Sequence, residues 1–205
     1  MRRLPLAVAA VAIAAVSTIP TALPAVAVTG APAVAYQGDV AHDGNVQNSG
    51  VQLPLSVRWV HHFFGVTGYA VIADGLVFVP ETQINAGFTK RVYALDATTG
   101  DVVWSVPIDG SFGVFGIAYD GGQLFVVDGD GLVRALDGAT GEENWAEQMP
   151  GQSSFSAPPT ADGGILYVGG AGSGGTLYAV DESDGSVQWS ASVANGDNSS
   201  PALSA

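Results

Sequence analysis

Short apolar runs alternate with turn residues along most of the chain beyond residue 66. Asp74-Gly75 separates two such runs, and Asp-Gly between apolar runs is a strong signal for a β-hairpin. A second turn, Ala97-Thr98-Thr99-Gly100, separates two further runs. We therefore predict a unit of four short antiparallel strands, named a to d in chain order. They lie near residues 68–73, 76–80, 91–96 and 101–106.

One part of this pattern recurs three times without gaps. It reads Ala, apolar residue, Asp, three residues, Gly, three residues, Trp, and its aspartates are 41 and 44 residues apart. The frame residues are Ala94, Asp96, Gly100, Trp104, Ala135, Asp137, Gly141, Trp145, Ala179, Asp181, Gly185 and Trp189. A period of this length with four strands per copy is typical of a β-propeller blade.

Each polar or special residue of the frame has a physical reason to be there. The aspartate is expected to cap the c–d turn by accepting backbone N–H bonds. The glycine permits the positive φ that a tight turn needs. The tryptophan, on strand d, is expected to pack its large ring against the next blade. The remaining tryptophan, Trp59, lies in Ser56–Val60, which we predict to be a ring-closing strand d.

The frame resembles the tryptophan-docking motif of PQQ-like, or quinoprotein-type, β-propellers, and the segment 37–44 resembles their lead-in. The resemblance covers roughly residues 36–205 and implies an all-β propeller. Aspartate does not follow the three repeat tryptophans, so the copies are not WD40 repeats. Members of the family usually close with seven or eight blades. Because about three to four four-stranded blades are present, we expect an incomplete propeller.

The amino terminus has the order of a secretory signal peptide. Met1 to Arg3 is basic, Leu4 to Val16 is apolar, and small residues follow in A-x-A arrangements. We expect a secreted, periplasmic or cell-surface protein with no membrane segment after removal of the signal. The predicted divisions are a signal peptide with a cleaved or disordered leader (1–35), a lead-in with the ring-closing strand (36–66), blades (67–109, 110–151 and 152–195) and the start of another blade (196–205).

Composition narrows the choice of partners. Lysine and arginine number 6 in total and the net charge is −13, so the clustered positive charge that nucleic-acid binding needs is missing. The acidic surface either keeps the protein soluble or attracts cations and basic partners. The chain has no cysteine, which excludes disulfides and thiolate metal sites.

The loops b–c and d–a emerge on one face of the propeller, and we expect an unknown protein or small-molecule ligand to bind there. The first b–c loop, 81–91, is predicted to be enlarged. For the aromatic residues of this face, packing at the central axis is the alternative interpretation. The candidate residues are Glu81, Gln83, Asn85, Lys90, Arg91, Phe112, Phe115, Gln152 and Phe155.

The residues themselves identify no catalytic group and no metal site. Asp128-Gly-Asp130 begins like a calcium loop, but position 132 is leucine, which favours a hairpin turn. His61 and His62 are adjacent in an extended segment and would point to opposite faces. We expect a non-catalytic binding or scaffold propeller without a cofactor. The alternative, implied by the resemblance, is a quinoprotein dehydrogenase that uses PQQ and calcium.

Overall fold

The computed structural model describes residues 32–45, 54–109, 114–171, 174–194 and 200–204. The predicted signal peptide lies outside these residues except for its last four positions. Phe112 also lies outside them, as does the side chain of Phe115. Within this part of the chain, no helix combines the length and apolar character needed to cross a membrane.

The described residues form thirteen strands in three antiparallel sheets, which confirms the all-β prediction. Consecutive strands pair with each other in each sheet, except that β1 and β2 both pair with β3. The first blade contains β1 Val66–Thr67, β2 Val71–Ala73, β3 Leu76–Gln83, β4 Thr89–Asp96 and β5 Val102–Pro107. The second contains β6 Val114–Asp120, β7 Gln123–Asp128, β8 Leu132–Asp137 and β9 Glu143–Gln148. The third contains β10 Thr160–Asp162, β11 Ile165–Gly170, β12 Thr176–Asp181 and β13 Val187–Ser192.

The enlarged loop expected at 81–91 is mostly strand. The β3–β4 ladder continues through Glu81↔Arg91 to Gln83↔Thr89, so only 84–88 connects the two strands. The predicted loop was wrong because polar side chains are also compatible with a strand. Their backbone groups instead extend the β3–β4 ladder.

The segment 56–60 is the predicted ring-closing strand d. It lies in extended backbone that belongs to none of the named strands. Trp59 nevertheless contacts the first blade at Gly100, as described below. An indole contact can thus hold a chain segment against a blade without a strand ladder.

Adjacent residues of one strand pack against different neighbouring blades. In β7, Leu124 and Val126 belong to the apolar core between the first and second blades, whereas Phe125 and Val127 belong to the core between the second and third. This is the alternation expected of a strand buried on both faces. The second blade is therefore packed on both sides.

Residues 33–40, from the end of the predicted leader into the lead-in, run along β2 and β6. Ala33 forms a bridge with Ile72 of β2, and the backbone N–H of Tyr119 in β6 donates to the Val34 oxygen over 2.9 Å. The lead-in also meets the last described segment, where the Leu203 N–H donates to the Val40 oxygen. These contacts connect residues 33–40 to the first and second blades and to residues 200–204.

Candidate functional site

Trp104 joins the first blade to the second. Its Nε1 donates to the backbone oxygen of Gly138 over 3.0 Å, and the residue is 9% exposed. A Cβ atom added to Gly141 would stand 2.8 Å from ring atoms of Trp104, and Gly141 has a φ of 78°. Glycine is required here for two reasons, namely the left-handed backbone and the space taken by the indole.

Two other indoles make the same pair of contacts. Trp59 donates to the Ala97 oxygen and lies against Gly100, and Trp145 donates to the Glu182 oxygen over 2.8 Å and lies against Gly185. In each case the acceptor is the residue that follows the aspartate of the repeat. The same local geometry therefore occurs at three successive places along the chain.

The aspartate of each repeat holds the turn that receives the indole. The Asp137 carboxylate accepts hydrogen bonds from the N–H groups of Thr140 (2.8 Å) and Ala139 (3.0 Å). The bonds from Thr140, joined by the weaker one from Ala139, hold the pKa of Asp137 below its usual value. Asp96 and Asp181 accept equivalent bonds in their own turns.

Trp189 has the same place in the third blade but different surroundings. It is 46% exposed, and its ring contacts Tyr167 of β11, which lies two strands away in the same blade. The equivalent indoles of Trp104 and Trp145 contact the turn of the blade that follows. The outer side of the third blade thus presents an aromatic residue to solvent.

A buried ion pair connects the first two blades on the b–c loop face. Lys90 Nζ lies 3.2 Å from Asp128 Oδ1, and both side chains are at most 3% exposed. Burial raises the pKa of Asp128 to about 6, although the ammonium group of Lys90 acts in the opposite direction. Asp128 Oδ2 has no hydrogen-bond partner among the described residues. Lys90 thus lies in the interior and is not a free cation on the predicted binding face.

Glu81 also lies in the interior. Its carboxylate accepts hydrogen bonds from the Gly65 N–H (2.6 Å) and from Gln83 Nε2 (2.9 Å). Burial alone would raise the pKa of Glu81, but these bonds, with others from Tyr93 and Phe64, outweigh it and lower the pKa. The side chain therefore holds the segment before β1 against β3.

Phe155 is buried completely in the core between the second and third blades. It packs against Tyr178 and so close to Gly131 that a Cβ atom there would stand 2.2 Å from its ring. The Phe155 ring is thus packed in the core and does not line an open groove. Gln152 is half-buried and donates to Thr176 Oγ1 over 3.0 Å.

Two other predicted residues remain at the surface or near it. Asn85 is exposed at the tip of the β3–β4 hairpin. Arg91 is half-buried, donates to Ser105 Oγ over 2.8 Å and lies 5.9 Å from the centre of the Tyr93 ring. The candidate residues are therefore spread between the interior and the surface and do not form one cluster.

A small open pocket of about 220 Å³ lies beside this hairpin. Ile84 and Phe88 at the hairpin tip are 52% and 64% exposed, and Phe88 has a left-handed φ of 60°. Neither residue was predicted from the sequence, where the available signal was two apolar residues in an otherwise polar hairpin. The pocket is lined by Gly87, Phe88, Thr89, Lys90, Pro107, Ile108 and Asp109.

The carboxylates near this face do not fit a calcium site. Asp128 Oδ1 is paired with the ammonium group of Lys90, and the Glu81 carboxylate is occupied by protein donors. Across the described ranges, no three histidine or acidic side chains are grouped so as to hold a metal ion. We therefore derive no chemical step through calcium or a quinone from these residues.

Comparison with known proteins identifies the fold. The crystal structure of quinohemoprotein alcohol dehydrogenase from Comamonas testosteroni matches with a TM-score of 0.65 at 22% identity, covering 79% of this chain and 27% of that chain. This similarity confirms the predicted propeller architecture, of which the described sheets are a part.

The relatives found by sequence comparison include an enzyme and an assembly factor. The Comamonas testosteroni enzyme is 28% identical over 168 residues, which is 72% of this chain and 23% of the relative. The outer membrane protein assembly factor BamB of Yersinia pestis is 30% identical over 115 residues, which is 50% of this chain and 29% of the relative. The chain thus spans less than a third of the length of either.

A family model described as outer membrane protein assembly factor BamB matches residues 56–204. The match covers most of the chain and includes all three copies of the repeat. The chain belongs to this family of PQQ-like β-propeller repeat proteins.

Proposed function

We propose that the chain is part of an exported, non-catalytic β-propeller that binds a protein or small molecule on its b–c/d–a loop face. The observation that carries this proposal is the exposed apolar tip of the β3–β4 hairpin, Ile84 and Phe88, beside an open pocket. A left-handed φ at an aromatic residue costs energy, and such residues concentrate at functional sites. Exposed aromatic residues are common at binding surfaces.

The blades supply the rigid support that such a tip needs. Lys90, at the base of the hairpin, is paired with Asp128 of the second blade, and Glu81 binds the segment before β1. We propose that the Ala-x-Asp-x-x-x-Gly-x-x-x-Trp frame is the tryptophan-docking motif of the family and serves the same structural purpose. In this proposal Lys90 and Glu81 do not contact the ligand themselves. They hold the hairpin so that its apolar tip can make the contact.

Support for export comes from two sources. The first is the order of basic, apolar and small residues at 1–35. The second is the family description, which refers to an outer membrane assembly factor. Fusion of residues 1–40 to a reporter that is active only outside the cytoplasm tests this part of the proposal. We expect reporter activity that is lost when the apolar run carries two arginines.

Binding is tested with the full-length protein and an extract of the cell envelope of its own organism. We expect the wild type to retain a defined partner that Phe88→Asp and Ile84→Asp lose. The control is Val103→Asp on β5, because Val103 is 52% exposed but lies away from the hairpin tip. Equal retention of the partner by all variants would overturn the proposed face.

A quinoprotein dehydrogenase is the second candidate, favoured by the similarity to the Comamonas testosteroni enzyme. Titration of the full-length protein with PQQ and calcium separates the two functions. We expect no saturable binding. Saturable binding with a calcium-dependent alcohol oxidation would support the dehydrogenase and contradict the non-catalytic function.

A further inference from the structure

Glu182 is an acidic side chain buried between the second and third blades. It follows Asp181 in the β12–β13 turn and is 5% exposed. Its backbone oxygen accepts hydrogen bonds from Trp145 Nε1 (2.8 Å) and Gln123 Nε2 (3.1 Å), and its backbone N–H donates to the Gly164 oxygen. The residue is therefore fixed at the point where the second blade meets the third.

The groups that act on its carboxyl are themselves acids. Asp120 at the end of β6 acts on it through its charge and a hydrogen bond, and Asp162 at the end of β10 and Asp181 at the end of β12 act on it through their charges. The indole of Trp145 on β9 lies at the same junction. Glu182 Oε1 has no hydrogen-bond partner in the described part of the chain. Two carboxyl groups hydrogen-bond to each other only when one of them carries a proton.

The equivalent positions of the other blades lack this group. Ala97 and Gly138 occupy the place of Glu182, and each accepts the indole N–H through its backbone alone. A Cβ atom at Gly138 would stand 2.7 Å from the Tyr119 ring. The third blade has Ala161 where the second has Tyr119, which leaves room for a longer side chain in the turn. The acid is thus an addition to the repeat that the indole contact does not require.

We propose that Glu182 and Asp120 form a proton-dependent latch between the second and third blades. With one shared proton, the two carboxyl groups hold the end of β6 against the β12–β13 turn. When both are ionised, two buried negative charges oppose each other beside Asp162 and Asp181, and the contact between the blades weakens.

The sign of the pH dependence follows from the direction of the pKa shift. Burial, and then the charge and hydrogen bond of Asp120, raise the pKa of Glu182 from 4.5 to about 7. A group whose pKa is higher in the folded state stabilises below its unfolded pKa, and this stabilisation is lost as the pH rises to the folded value. The latch therefore weakens between about pH 4.5 and pH 7.

The experiment is denaturant unfolding of the full chain at a series of pH values from 4.5 to 8, for the wild type and Glu182→Gln. We expect the wild-type folding constant to fall by at least about tenfold more than that of the variant over this range. Glu182→Ala gives a second test that is expected to fold, because Ala97 occupies the same place in the first blade. Asp184→Asn, which removes an exposed acid from the same turn, is expected to keep the wild-type profile.

Two results separate the latch from a merely structural role. We expect the Glu182 carboxyl resonance, assigned by its absence in Glu182→Gln, to titrate near pH 7 in the folded protein. Asp120→Asn and Asp162→Asn are expected to lower that titration point. A folded-state titration near pH 4.5, or the same pH profile of stability in the wild type and Glu182→Gln, would overturn the proposal.

Discussion

The ring of Trp104 lies against Gly141 of the following blade, so close that a single added methyl group would meet it at 2.8 Å. The same relationship joins Trp59 to Gly100 and Trp145 to Gly185. The same aromatic contact thus occurs at both junctions between the described sheets and where the segment 56–60 meets the first blade.

Substitution of Gly141 by alanine tests the closeness of this contact. We expect Gly141→Ala to lower the free energy of unfolding by about 1–3 kcal/mol more than Gly75→Ala, because overpacking adds to the cost of the left-handed backbone. Gly75 is a matched control, since its φ is also 78° but nothing lies within 4 Å of an added Cβ. Equal losses in urea denaturation would contradict the account.

Replacing an indole by a phenyl ring tests the hydrogen bond to the next blade. Trp104→Phe loses the bond from Nε1 to the Gly138 oxygen and leaves a buried carbonyl, which we expect to cost about 1–3 kcal/mol. Trp189→Phe removes an indole that is half exposed, and we expect a change of less than about 0.5 kcal/mol. Similar costs for both variants would indicate that the two indoles have similar surroundings.

Disruption of the Lys90–Asp128 pair is expected to be strongly destabilising. Lys90→Met leaves a buried carboxylate without its ammonium partner, which costs about 3–5 kcal/mol in comparable pairs. The double variant Lys90→Met, Asp128→Leu is expected to recover most of this loss, because neither charge remains. Additive losses in a double-mutant cycle, measured by denaturant unfolding, would show that the two groups act independently.

Asp128 is expected to make its own contribution to the pH dependence. Burial raises the pKa of Asp128 from 3.8 to about 6. The contribution of this group to the stability of the fold is therefore fully present below about pH 3.8 and is lost as the pH rises to about 6. Asp128→Asn is expected to flatten the stability profile in this window. The variant leaves the slope due to Glu182 between pH 6 and pH 7 in place, and loss of that slope would contradict the separate assignment of the two groups.

The repeat made the fold predictable, and the reason is physical. Asp, Gly and Trp at fixed spacing require a capped turn, a left-handed backbone and a large ring, and few folds place these together every 41–44 residues. The exposure of single side chains was harder to predict. Glu81, Lys90 and Phe155 are buried by partners from other blades or from distant segments, and no local pattern in the sequence specifies those partners.

The hairpin tip and the Glu182 site show the same limit. Phe88 and Ile84 are exposed because the β3–β4 ladder extends past the edge of the neighbouring strands, which depends on the register between β3 and β4. A glutamate in a turn, such as Glu182, gives no sign in the sequence that it is buried. Its burial depends on the small side chain of Ala161, which stands where the second blade has Tyr119. Such features follow from how blades pack against each other.

The central claim is that indoles packed between neighbouring sheets hold the blades together. Acrylamide quenching of two single-tryptophan variants, in which the other three tryptophans are phenylalanine, tests it most directly. We expect the variant that keeps Trp104 to be quenched several-fold less than the variant that keeps Trp189, since their exposed fractions are 9% and 46%. Equal and efficient quenching of both in the folded protein would contradict the claim.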